Sequence, residues 1–142
     1  MAITGLRSPH EKIGPIVYFP RLLDKIRLHA AGTLPADYIH NLGEGFDKAC
    51  VAHLGIDYAA LVERVKDGGS DEEIFKWAQE KGRPLTEQDH VVWNEFMRKR
   101  GWNDVATERL IQRKAESGFT QRDDIQTFFD FIDADEGRSP RG

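Results

Sequence analysis

Apolar positions recur at helical spacing through most of this chain, and polar residues mark where each run begins and ends. Between Pro20 and Gly32, Leu22, Leu23, Ile26 and Ala30 share one face of a helical wheel, with Phe19 just before them. Pro20 suits a first turn and Gly32 a left-handed cap. Residues 45–54 read as a short helix closed by Gly55. Asp57 caps another through Lys66, with Leu61, Val62 and Val65 together. Ser70 and Glu73 have the spacing of a capping box, and the helix they open runs to Lys81, burying Ile74, Trp77 and Ala78. Thr86 and Asp89 open the strongest run, in which Val92, Trp93, Phe96 and Met97 are expected to face inward. Asn103 or Asp104 caps a helix through Glu116. Thr120 caps the last, which buries Ile125, Phe128, Phe129 and Ile132.

The connections after residue 55 are short, which favours one compact bundle over two domains. The fold class expected is all-α, a single domain over residues 1–142 with about six or seven short helices. Residues 1–13 read as an irregular lead-in and 137–142 as a frayed tail. Gly14 to Phe19 has extended character but is too short and isolated to imply a sheet. Thr33 to Gly43 carries turn chemistry around Pro35, Asp37 and Asn41.

Charge narrows the functions. The net charge of −4 argues against nonspecific nucleic-acid binding, which needs a basic surface. No apolar run is long enough for a membrane span, and the N-terminal residues lack the apolar core of a signal peptide. The one cysteine, Cys50, rules out an internal disulfide and fits a reducing, cytoplasmic setting. Residues 1–66 carry a net +1 and the remainder −5, and four of the five histidines fall in the first part. A site is therefore expected there, with the second part as helical support.

The helix from Pro20 concentrates function-capable groups. Arg21, Asp24, Lys25 and Arg27 are candidates to line an anion pocket, since the guanidinium fork meets a carboxylate or phosphate at two points. The competing reading is internal pairing, such as Arg21 with Asp24. Leu28 is apolar on the polar side of this helix, and Phe131 lies off the stripe of the last helix; both are candidates for an interaction surface. Asp130, Asp133, Asp135 and Glu136 crowd the C-terminal end of the last helix, where the dipole disfavours them. Cations are expected to compensate, from Arg98–Arg100 or from Arg21, Lys25 and Arg27. The calcium-loop pattern fails there, because Gly137 stands where a ligand is required.

Cys50 and His53 lie one turn apart, but zinc wants four ligands and no second cysteine exists, so no metal and no cofactor is implied. Gly43-Glu44-Gly45 before a helix offers free backbone amides to a phosphate, although it lacks P-loop spacing. Two functional readings follow. The first is a non-catalytic cytoplasmic module that binds a partner protein or a small anionic ligand. The alternative is a small enzyme acting on an anionic metabolite where the first helix meets residues 40–53. There His29, His40 or His53 would serve as acid and base, with Arg21 or Arg27 as the anion clamp.

The segments LRSP at 6–9, PRLLDKIRLHA at 20–30, NLGEGFD at 41–47, WNEFMRKRGW at 93–102 and RDDIQTFFDFIDADEGR at 122–138 together resemble a bacterial domain family of unknown function. So do GTLP at 32–35, GIDYAALVERV at 55–65 and GGSDEEI at 68–74. The resemblance covers nearly the whole chain. It implies a small single-domain bacterial protein and brings no catalytic residues.

Overall fold

The computed structural model describes residues 5–139. A two-stranded antiparallel hairpin, β1 (Lys12–Ile13) and β2 (Ile16–Val17), precedes eight helices. These are α1 (Phe19–Ala30), α2 (Ala36–Ile39), α3 (Phe46–Leu54), α4 (Tyr58–Lys66), α5 (Asp71–Lys81), α6 (Glu87–Lys99), α7 (Thr107–Glu116) and α8 (Phe128–Asp135). The bundle is all-α apart from this hairpin, in which Lys12 pairs with Val17 and Ile13 with Ile16. Gly14 turns it at a φ of 55°, and a Cβ there would sit 3.0 Å from the Phe75 ring.

The hairpin persists because α6 completes its hydrogen bonding. Asn94 Oδ1 accepts from the Val17 amide, its Nδ2 donates to the Pro15 carbonyl, and Trp93 Nε1 donates to the Val17 carbonyl. Two strands alone are marginal in water, so this support comes from the helix layer. The main core gathers the hairpin, α1, α3, α4, α5, α6 and Phe129 of α8 around Leu22, Leu23, Leu61, Ile74 and Met97. A smaller cluster of Leu110, Ile125 and Phe131 joins α7 to α8.

The capping boxes of α5 and α6 form as the sequence predicts. Elsewhere tertiary structure changes the boundaries. The 33–43 turn region contains the short α2. The Asp104 carboxylate accepts from the amides of Gly101 and Ala106, closing a turn that delays α7 to Thr107. Thr127, not Thr120, caps the last helix by accepting from the Asp130 amide. Lys114 Nζ donates to the carbonyls of Arg122 and Ile125, and so holds the intervening segment out of the helix.

The inward face expected on α6 is narrower than its sequence suggests. Trp93 and Met97 are buried against the hairpin and α8, while Val92 and Phe96 are 58% and 47% exposed. The Arg100 guanidinium stands 5.3 Å from the Phe96 ring. At the C-terminal end, Arg138 of the expected frayed tail is held by Asp133, Glu136 and the Leu6 carbonyl. Residues 140–142 of that tail, and 1–4 of the lead-in, lie outside the described residues.

Candidate functional site

The first two turns of α1 are buried on every side, polar residues included. Arg21, only 4% exposed, forks onto Glu136 with Nη1–Oε1 at 2.9 Å and Nη2–Oε2 at 2.5 Å. Tyr38 donates its hydroxyl to the same carboxylate at 2.7 Å, and Arg138 adds a third cationic or polar contact. Burial pushes the Glu136 carboxyl upward, but the Arg21 hydrogen bonds and charge outweigh it and hold the group below its ordinary value. One turn on, Lys25 Nζ meets both oxygens of Asp47 at 3.0 and 2.9 Å. Asp47 is fully buried and also accepts from the Tyr18 hydroxyl at 2.6 Å and the Gly43 amide at 3.0 Å.

Arg21, Glu136 and Lys25 of these pairs line a cleft of about 720 Å³, and the fully buried Asp47 stands outside its lining. That volume lies in the range of small-molecule sites. The cleft opens between the segment carrying α2 and the α7–α8 unit. α7 and Ala106 just before it contribute a stripe at helical spacing, Ala106, Arg109, Arg113 and Glu116. Arg100, at the end of α6, joins the same lining. Phe128, Phe131 and Ile132 come from α8, and Asp37, His40 and Glu44 come from the 31–45 segment. Arg109 donates only to Gln112 on its own helix and has no carboxylate partner among the described residues. Arg113 lies 5.3 Å from the Phe131 ring and 3.7 Å from Glu116.

Tyr18, at the base of this cleft, has a φ of 77° and a ψ of −31°. A bulky residue pays roughly 1–3 kcal/mol to hold such a backbone. Its amide donates to the Glu11 carbonyl, its carbonyl accepts from Leu22, and its hydroxyl is fixed on Asp47. The hairpin, α1 and α3 therefore pin one strained tyrosine between them.

Residues 3–138 match a family described only as Domain of unknown function (DUF5069). The chain belongs to that family. No curated protein matches it. The sequence expectation of a family without assigned activity holds, and the chemistry of this DUF5069 chain rests on its own geometry.

Of the candidate ligand-binding residues, Arg21 and Lys25 line the cleft. Asp24 and Arg27 do not share it. Asp24 is clasped by Arg7 through the backbone amide and the guanidinium, so the expected Arg21–Asp24 pair does not form. Arg27 pairs with Asp71 at 2.7 Å. All four are engaged internally. The acidic end of α8 is compensated by Arg21 and by Arg138, while Arg98 and Lys99 pair with Glu95 and Arg100 with Asp104.

The expected exposed apolar strip is not there. Phe131 is 3% exposed, packed in the smaller core, and Leu28 is half-buried against Gly5. Their off-stripe positions reflect second packing surfaces within the chain. The glycine turn expected to cradle phosphate holds the chain's own Asp47 instead, which takes the Gly43 amide.

The histidines separate. His40 lines the cleft, His29 is exposed near the end of α1, and His53 stacks on Trp93 at 4.8 Å away from the cleft. Burial, with the nearby Arg83 and His90, lowers the His53 pKa to about 4. Cys50 is fully buried, and burial followed by the charge of Asp47 pushes its thiol well up. Asp47, Tyr18, Arg109 and Arg113 were not singled out by the sequence. The spacing of Ala106, Arg109, Arg113 and Glu116 was a signal for the arginines, but polar stripes commonly face only water.

Proposed function

We propose that this protein is a non-catalytic module that binds a small anionic ligand in the cleft between the 31–45 segment and α7. The observation that carries this reading is the pairing of a neutralised floor with an arginine stripe. Arg21 and Lys25 are already matched by Glu136 and Asp47, whereas Arg109 has no carboxylate partner among the described residues and Arg113 only a loose one. Arginine forks without a close carboxylate are suited to a carboxylate or phosphate. The single, deeply buried thiol supports a cytoplasmic setting, and the sequence resemblance supports a bacterial source.

The test is amide NMR titration of the purified protein with phosphate, malonate and benzoate. Saturable shifts at Gly45 and Ala106 are expected, reduced at least about tenfold in affinity in the Arg109→Ala/Arg113→Ala variant, which is the loss of two charged contacts. Absence of saturable shifts, or undiminished binding in that variant, overturns the reading. One observation favours the enzyme alternative: His40 and Arg21 line the same cleft. Turnover of a bound ligand that is lost in His40→Gln while binding persists would establish it.

A further inference from the structure

The cleft's apolar lining is mostly aromatic: Tyr18, Tyr38, Phe46, Phe128 and Phe131, against Ala106 and Ile132. Phe46 and Phe128 meet edge to face at 6.1 Å and 80°, and both are half-buried. In that geometry the two rings point different faces outward, and a flat ligand can lie against one while meeting the edge of the other. Arg113 stands over Phe131, so the cation and the aromatic floor form one continuous patch. An anion seated on Arg113 therefore lies beside the Phe131 ring, and Phe46, Phe128 and Tyr38 line the same cleft. The 31–45 segment adds Asp37 and Glu44, which have no cation partner among the described residues. They repel a second anionic group placed against that segment.

We infer that the ligand is a planar aromatic compound with a single anionic end, a carboxylate or a phosphate. Arg109 and Arg113 hold the anion, and Phe46, Phe128 and Tyr38 select the flat ring. This rests on the anion-binding reading above and goes further by choosing the ligand's body.

Matched probe pairs test it on the full chain. Benzoate is compared with cyclohexanecarboxylate, and adenosine monophosphate with ribose 5-phosphate, by calorimetry and saturation-transfer NMR. The aromatic member of at least one pair is expected to bind about fivefold or more tighter, the size of a ring–ring contact. Its ring protons should receive saturation, and its affinity should fall in Arg109→Ala/Arg113→Ala. Selectivity within the first pair identifies a carboxylate ligand, and within the second a phosphate. Equal affinity within both pairs overturns the aromatic assignment and leaves the anion site standing. No binding by any of the four overturns both. Aromatic binding that survives the double arginine variant unchanged overturns the placement of the anion.

Discussion

Asp47 offers the sharpest test of how this fold is held together. Its carboxylate is fully buried and takes Lys25 Nζ, the Tyr18 hydroxyl and the Gly43 amide. Asp47→Asn keeps its oxygen for the Gly43 amide, turns its Nδ2 toward the Tyr18 hydroxyl, which must rotate to accept, and leaves Lys25, a residue 5% exposed, without its counter-charge. Breaking one side of a buried pair costs about 3–5 kcal/mol. Unfolding entropy scales with length, so 142 residues give about 0.3 kcal/mol/K near Tm. The expected fall in Tm is thus about 10–17 °C. The assay is urea unfolding at neutral pH with calorimetry, on the wild type, Asp47→Asn, Lys25→Met and the double variant. The double variant removes the stranded charge, so it should recover about 2 kcal/mol or more relative to the sum of the singles. A loss below about 1 kcal/mol for Asp47→Asn, or strict additivity in the cycle, would refute the claim that the pair acts as a buried charge-compensated unit.

Other outcomes follow from the same structure. His53 has a folded pKa lowered to about 4 from 6.5, so the unfolded chain binds a proton first as the pH falls. Stability should therefore drop between pH 6.5 and 4, and His53→Gln should flatten that part of a Tm-against-pH curve. Cys50 is fully buried with a raised thiol pKa, so a thiol reagent should label it only at the rate of unfolding; rapid labelling of the native protein would contradict this. Gly82→Ala should destabilise by about 3 kcal/mol or more, or fail to fold, because its Cβ would sit against the Leu54 carbonyl oxygen and overpacked cores relieve such clashes only by shifting backbone. Urea unfolding of Gly118→Ala beside it gives the comparison: no atom lies within 4 Å there but the φ of 77° is strained for alanine, a cost of about 1–2 kcal/mol that the Gly82→Ala loss should exceed.

Much of the bundle was legible in the sequence because its determinants are local. The α5 and α6 capping boxes each close within four residues, and the apolar spacing of α1 and α4 marks their buried sides whatever they pack on. Gly82 was legible as a stop, but not its reason. It lies at a φ of −88°, open to any residue, and is excluded from larger side chains by the approach of α3. Thr120 and Thr127 look equally good as caps, and only the Lys114 bonds to Arg122 and Ile125 decide between them.

The site divides in the same way. Sequence alone determined that α1 carries an unusual density of charge and that the acidic end of α8 needs cations. Only the tertiary structure decided who answers whom. Arg21 meets Glu136 across 115 residues and Lys25 meets Asp47 across 22. A charge has no period along a sequence, and its partner is whichever opposite group the packed backbone brings within about 3 Å, where the loss of water is offset by direct hydrogen bonds. The cleft belongs wholly to that second level. Its arginine stripe and aromatic floor come from helices that are neighbours only because the smaller core closes α7 onto α8.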